Sequence, residues 1–213
     1  MNDKLNLYDN FLAETDPDRL QKILLRYELF RMTLDVPGEI VECGVFKGSG
    51  IYTWVKFMRL FKPNNEYHIV GFDFFDTDRG MSFKHDEDQE CLDVHKENWA
   101  TQQEIKDNCA RWGFDNVKLI AGNMTDTTRR FRAENLGSRI SLLYIDVDNY
   151  EGSLACLNNL YPLVVRGGVV ALDEYALRGY GESDAVDEFL KDKPVKLKSF
   201  PWGNTPTAYF IKE

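Results

Sequence analysis

The stretch PGEIVECGVFKGSG, residues 37–50, decides the fold. Pro37 and Gly38 stop whatever helix precedes them, and EIVECGV is a short apolar run of the length of a buried strand, broken at Gly44. From Ser49 onward, IYTWVKFMRLF carries apolar residues at helical intervals. A strand, a glycine-bearing turn and a helix therefore follow one another within about 25 residues.

Upstream, DPDRLQKILLRYELFRMTL places Leu20, Ile23, Leu24, Tyr27, Phe30 and Leu34 on one helical stripe, with Asp16 or Asp18 as the N-cap. This predicts a helical segment over about 1–36, packed on a core over about 37–213, and a single domain over 1–213. Downstream, HIVGF runs into Asp73, and a charged stretch from Asp76 to Glu90 has no clear period. A helix through Gln102, Ile105, Cys109 and Trp112 leads to the strand VKLIA; then ISLLYID is a strand, GSLACLNNLYPLVV a helix and GGVVALDEY a strand. Short apolar strands alternating with helices predict an α/β domain, a mostly parallel sheet covered on both faces. The last two runs, KLKSF and TAYFIKE, flank the turn-rich PWGNTP and predict an antiparallel pair at the sheet edge.

With 213 residues, 43% of them hydrophobic, the chain is long enough to bury a substantial core. A net charge of −9 opposes binding to nucleic acid or an anionic membrane surface, where each phosphate contact meets like-charge repulsion. The four cysteines form no CxxC pair and no ligand-like spacing with the histidines, so reduced thiols are expected. MNDKLNLYDN has no basic segment followed by an apolar run, and no stretch approaches the roughly 20 apolar residues of a membrane span. The expected address is the cytoplasm.

In open parallel sheets, ligands bind beyond the carboxyl ends of the strands, where the strand order reverses. Gly and acidic residues concentrate at those ends here. The Glu42–Gly50 turn lets backbone approach a ligand, but it is neither a Walker A loop nor a GxGxxG fingerprint, and Glu42 suits a cationic or hydroxyl-bearing ligand better than a pyrophosphate. Asp73 stands where nucleotide-binding sheets use a carboxylate to accept ribose hydroxyls. Asp146 and Asp148 end one strand, and Asp173 and Glu174 the next. Carboxylates gathered in one cleft repel unless a cation or shared proton intervenes, and a hard divalent ion such as Mg²⁺ or Ca²⁺ answers that need.

The stretches PGEIVECGVFKGSG, VGFDFFDT, GFDNVKLIAGNMTDT, ISLLYIDVDNYEGSLACLNNLYPLVVRGGVVALDEY and AVDEF together resemble the macrocin-type (TylF/MycF-like) O-methyltransferases, in the family's order, from Pro37 to Phe189. The resemblance implies a class I methyltransferase fold, Rossmann-like, with a seven-stranded sheet and an antiparallel C-terminal edge strand. It implies S-adenosylmethionine as donor, Mg²⁺ or a similar divalent cation, and a small-molecule hydroxylated acceptor such as a sugar or glycosylated metabolite. Transferred by motif, Glu42, Gly44 and Ser49 line the methionine side of the donor, Asp73 holds its ribose, and Gly122 and Asn123 lie near its adenine. Asp146, Asp173 and Glu174 hold the metal, with Asp146 also beside the donor, and Asp148 is the general base. Glu174 departs from the family's usual pair of aspartates by one methylene. Neither the acceptor nor the oligomeric state follows from the motifs, and a homo-oligomer is compatible with them.

Three other classes compete. A nicotinamide-dependent oxidoreductase shares the sheet and Asp73 but normally carries the missing GxGxxG turn. A metal-dependent hydrolase needs only the acidic cluster, and a non-catalytic binding subunit needs only the fold.

Overall fold

In a computed structural model of the chain, residues 2–64, 66–75, 83–95 and 100–213 are described. A six-stranded sheet is built from β1 (Glu39–Cys43), β2 (Ile69–Asp73), β3 (Val117–Ala121), β4 (Ile140–Ile145), β5 (Val164–Leu172) and β6 (Ala208–Ile211), in the order β3-β2-β1-β4-β5-β6. The first five strands pair in parallel, and β6 runs antiparallel along β5. The order reverses between β1 and β4, so the cleft expected in such a sheet opens at their carboxyl ends.

Helices cover both faces. On one side, α2 (Pro17–Arg31), α3 (Ser49–Phe61) and α5 (Gln102–Ala110) bury Leu29, Phe30, Ile51, Trp54 and Ile105 against Ile40, Leu142 and Tyr144. On the other, α6 (Met124–Glu134), α7 (Tyr150–Leu160) and α8 (Glu182–Leu190) bury Phe131, Leu157 and Phe189 against Val41, Phe72 and Leu143. Both faces of the central strands are thus dry, which is why these strands read as continuous apolar runs without alternation. The helix ends follow their local chemistry. Asp16 accepts a hydrogen bond from the Asp18 backbone N–H ahead of Pro17, and Thr101 with Glu104 forms a capping box.

Two expectations need correction. The sheet has six strands among the described residues and not seven, because KLKSF contributes only an isolated bridge between Lys198 and Tyr209. Pro194 and Pro201 flank that run and cannot donate to a ladder, so it does not extend. The helix foreseen through GSLACLNNLYPLVV ends at Leu160. Pro162 converts the following residues into a 3₁₀ turn (Tyr161–Leu163), and Val164 already belongs to β5.

Helix α1 (Asn2–Glu14) falls within the helical segment expected over about 1–36, whereas α4 (Asp86–His95), α6 and α8 have no counterpart among the helices expected from the sequence. Of the charged stretch, residues 76–82 lie outside the described residues. No helix among the described residues is long and apolar enough to cross a membrane, and none of the four cysteines is in a disulfide.

Candidate active site

The cleft at the carboxyl end of β1 and β4 measures about 380 Å³ and is lined by Glu42, Gly44, Ser49, Asp73, Asp146, Asp148, Asp173 and Glu174 among others. Eight residues singled out from the sequence therefore share one cavity. Gly44 is fixed by geometry: its φ is 90°, and a Cβ there would lie 1.6 Å from the Asp146 carbonyl oxygen. No other residue lets the end of β1 pass so close to the end of β4, and the Asp146 N–H in turn donates to the Cys43 carbonyl at 2.8 Å.

Asp73 organises the glycine turn. Its Oδ2 accepts the backbone N–H groups of Val45 and Phe46, both at 2.7 Å, and its Oδ1 accepts that of Phe74 at 2.6 Å. The carboxylate that was expected to face a ribose thus also holds the loop in which the ligand would sit. Phe46, Phe75, Asp148 and Ala176 all have φ between 50° and 65°, one just past each of β1, β2, β4 and β5. Backbone strain of this kind, in residues with a Cβ, gathers at the rim of the cleft.

The acidic centre has a definite internal order. Asp146, Asp148 and Glu174 each present an oxygen within 4.8 Å of the others, the spacing of ligands around one small cation. Burial, reinforced by the charges of Asp146 and Asp173, pushes the Asp148 carboxyl up to about 7. Burial and the same two neighbours hold the Glu174 carboxyl well above the usual range, and Glu174 Oε2 is buried without a hydrogen-bond partner. Asp173 adjoins this trio through a hydrogen bond with Glu174. Its Oδ2 accepts from Lys22 Nζ at 2.8 Å and its Oδ1 accepts from the Tyr144 hydroxyl. Although burial opposes it, Lys22 keeps the Asp173 carboxyl below its ordinary value. The four acids expected at the strand ends are therefore all present in one cleft, with oxygens of Asp146, Asp148 and Glu174 within 4.8 Å of one another and Asp173 beside them.

The cations facing these acids come from α2, which the sequence reading treated only as packing. Lys22 Nζ also lies 3.1 Å from Asp146 Oδ2, and Arg26 Nη2 lies 3.5 Å from Glu42 Oε1 and 3.8 Å from Asp146 Oδ2. Arg26 is buried and its guanidinium lies 5.8 Å from the centroid of the Trp54 ring and 5.1 Å from that of Tyr144. Arg19 also lines the cleft. Positions 19, 22 and 26 are three and four apart, one helical face, and this was the available signal. Burial pushes the Glu42 carboxyl up to about 8 against the pull of Arg26, and Glu42 Oε2 has no hydrogen-bond partner.

Gly122 and Asn123 sit just past β3 but outside the cleft lining. The Gly122 N–H donates to the Asp73 carbonyl at 2.9 Å, and Asn123 caps α6 through the Thr125 N–H. Of the tyrosines that follow the ends of β4 and β5, Tyr180 lines the cleft, whereas Tyr150 and Tyr175 donate to Glu188 and Asp187 on α8. His68 and His85 pair with Glu39 and Asp184, away from the cleft. The side chain of His95 lies outside what is described.

Against known proteins, the profile of the macrocin-O-methyltransferase (TylF) family matches residues 18–200. The chain belongs to the TylF family. Among its relatives, the 8-demethyl-8-(2,3-dimethoxy-alpha-L-rhamnosyl)-tetracenomycin-C 4'-O-methyltransferase of Streptomyces olivaceus is 27% identical over 72% of this chain and 63% of its own length. The mycinamicin III 3''-O-methyltransferase of Micromonospora griseorubida is 25% identical over 72% of this chain and 61% of its own. The chain thus spans about six-tenths of the length of these curated relatives. The structure of CalS11, described as a TDP-rhamnose 3'-O-methyltransferase of calicheamicin biosynthesis, superposes with a TM-score of 0.77 at 27% identity, covering 96% of this chain and 84% of that one. The fold is that of the class I methyltransferases, mostly parallel with an antiparallel edge strand.

Proposed function

We propose that this TylF-family chain transfers the methyl group of S-adenosylmethionine to a hydroxyl of a small glycosylated or nucleotide-linked sugar, with help from Mg²⁺ or a similar divalent cation. The observation that carries the reading is the convergence, in one cleft of about 380 Å³, of the Asp73-tied glycine turn with the Asp146, Asp148 and Glu174 carboxylates. The names of the relatives, O-methyltransferases of a rhamnosyl-tetracenomycin C, of demethyldecarbamoylnovobiocin and of mycinamicin III, support the acceptor class.

The chain's own residues divide the work. Asp73 Oδ1, with one loop N–H already bound, retains a lone pair for a ribose hydroxyl, and Glu42 and Ser49 border the same end of the cleft. The acidic lining favours a sulfonium, whose positive charge would be repelled by a basic pocket. The oxygen-only donor set and the unpartnered Glu174 Oε2 fit a hard divalent ion, which Asp146 and Glu174 would hold beside Asp148. When bound, such an ion supplies positive charge next to the acceptor oxygen and lowers the pKa of its hydroxyl. Asp148 takes the hydroxyl proton; its raised carboxyl is matched to that task near neutral pH. Positioning accounts for the larger share of rate, since well-oriented partners gain about 7–11 kcal/mol.

The test is to incubate the protein with S-adenosylmethionine, Mg²⁺ and a panel of deoxysugar glycosides and nucleotide sugars, and to read products by mass spectrometry. The reading predicts product heavier by one methylene, formed only without chelator. Methyl transfer at full rate by metal-stripped protein in excess EDTA would remove the ion from the account, and hydrolysis of the same compounds without the donor would replace the reading with a hydrolase.

A further inference from the structure

Helix α4 borders the cleft without an apolar stripe to hold it there. Among its described side chains only Asp88 is buried, at 1% exposure, and five of its ten residues are acidic. Carboxylates also outnumber cations in the cleft lining, so like charge opposes the contact. Specific polar attachments must therefore fix the place of α4.

Asp88 supplies two of them. Its Oδ2 accepts the N–H of Tyr150, the first residue of α7, at 2.9 Å, and its Oδ1 accepts that of Gly181, the N-cap residue of α8, at 2.8 Å. One carboxylate thus sits at the N-termini of two helices, where their partial positive charge favours it. Gly181 brings no side chain to cap α8, and a Cβ there would lie 2.4 Å from Asp88 Oδ2. Just before α4, the Lys84 N–H donates to Glu151 Oε1 at 2.6 Å, and Lys84 Nζ lies 4.0 Å from the centroid of the Tyr150 ring.

We propose that Asp88 is a positioning residue: by joining α4 to the N-termini of α7 and α8 it sets the wall of the cleft that faces Asp148. Cys91 and Leu92 lie three and four residues beyond Asp88, on the same helical face. Leu92 lines the cleft, and the Cys91 thiol hydrogen-bonds the Asp148 carboxylate. Each backbone group that Asp88 holds is also next in sequence to a cleft residue, Asn149 before Tyr150 and Tyr180 before Gly181. Three segments of the wall are thus tied to one carboxylate. That this wall serves the acceptor rests on the function proposed above, in which Asp148 takes the acceptor's proton.

The experiment follows alkylation of the folded full chain by N-ethylmaleimide at one pH, with each cysteine peptide quantified by mass spectrometry. Cys91 reports the position of α4, and the buried Cys43, Cys109 and Cys156 report global unfolding. In Asp88→Ala, Cys91 should react about tenfold faster or more, the scale of one charge-assisted hydrogen bond lost from a local opening, while the other three stay within about twofold of wild type. Asp88→Asn keeps an oxygen for one of the two N–H groups and should show a smaller gain. Gly181→Ala keeps the Asp88 charge but drives a Cβ against its carboxylate, and should release Cys91 as well. Titration of Asp88→Ala with S-adenosylmethionine should stay within about threefold of wild type, less than one hydrogen bond's worth, because the Gly44 and Asp73 end of the cleft is held by other loops.

An unchanged Cys91 rate in Asp88→Ala overturns the proposal, and so does a rise shared by all four cysteines, which makes Asp88 a residue of general stability. Equal gains in Asp88→Ala and Asp88→Asn with none in Gly181→Ala assign the effect to charge alone and overturn it too. Should Asp88→Ala fail to fold, Asp88→Asn and Gly181→Ala decide by the same readout. A loss of donor affinity beyond about tenfold in folded Asp88→Ala puts the wall on the donor side and overturns its acceptor role. If wild type binds no S-adenosylmethionine, the proposed function fails, and the acceptor role with it, while the alkylation rates still decide whether Asp88 holds α4.

Discussion

Asp73→Ala tests the link between the glycine turn and the donor site. The carboxylate accepts three backbone N–H groups, from Val45, Phe46 and Phe74, at 2.6–2.7 Å. Phe46 is exposed enough for water to replace its bond, while the Val45 and Phe74 bonds are partly buried. Two charge-assisted bonds at the low end of about 1.5–3 kcal/mol each give a loss of about 3 kcal/mol. For a domain of this length that corresponds to a fall in Tm of about 6–12 °C. The assay is calorimetric melting of the ligand-free protein, with titration of S-adenosylmethionine at a temperature where the variant is folded. Affinity should drop by a further factor of about ten or more, from the ribose bond lost with the same carboxylate. A variant that melts within about 2 °C of wild type, less than 1 kcal/mol on this scale, would refute the claim that Asp73 ties the turn.

Asp148→Asn should leave donor and Mn²⁺ binding nearly intact but slow the single-turnover rate by about 10²–10⁴-fold; a near-native rate would reduce Asp148 to an orienting residue, and lost Mn²⁺ binding would make it a ligand. Gly44→Ala places a Cβ 1.6 Å from the Asp146 carbonyl, so it should give protein that is insoluble or melts far below wild type; soluble protein with an unchanged melt would contradict the close approach of β1 and β4. The Glu42 carboxyl is raised in the folded state to about 8, so the folded form holds a proton that the unfolded chain has lost. Its contribution to stability is full below the unfolded value near 4.5 and is lost as pH rises through about 8. Glu42→Gln should therefore melt closer to wild type at pH 5 than at pH 8.5, where the variant should be the more stable; parallel melting curves at both pH values would count against a protonated Glu42.

Much of the fold was legible because the central strands are buried on both faces: EIVEC, IVGFD and ISLLYI stand out as apolar runs ended by Gly or Asp. The order of the strands and the antiparallel edge followed from those runs and from the Pro- and Gly-rich turns between them. Boundaries failed where one residue outweighed the pattern, as at Pro162, which ended a helix whose apolar sequence continued into β5. Helix α1 is legible only as part of the broad helical segment over 1–36, because its described side chains are exposed, including Leu7 and Tyr8, and no buried stripe marks its bounds. The acids and glycines of the cleft were readable from their places at strand ends. Which acids face each other was not, because that depends on Lys22 and Arg26, distant in sequence and brought in by the packing of α2.

The most direct test of the central claim is isothermal titration of the folded, metal-stripped protein with S-adenosylmethionine, with NAD⁺ as control. Saturable 1:1 binding of S-adenosylmethionine, weakened in Asp73→Ala, and no heat from NAD⁺ is the predicted result. Binding of NAD⁺ alone, or of neither compound by protein shown to be folded, would contradict the assignment of this cleft to a methyl donor.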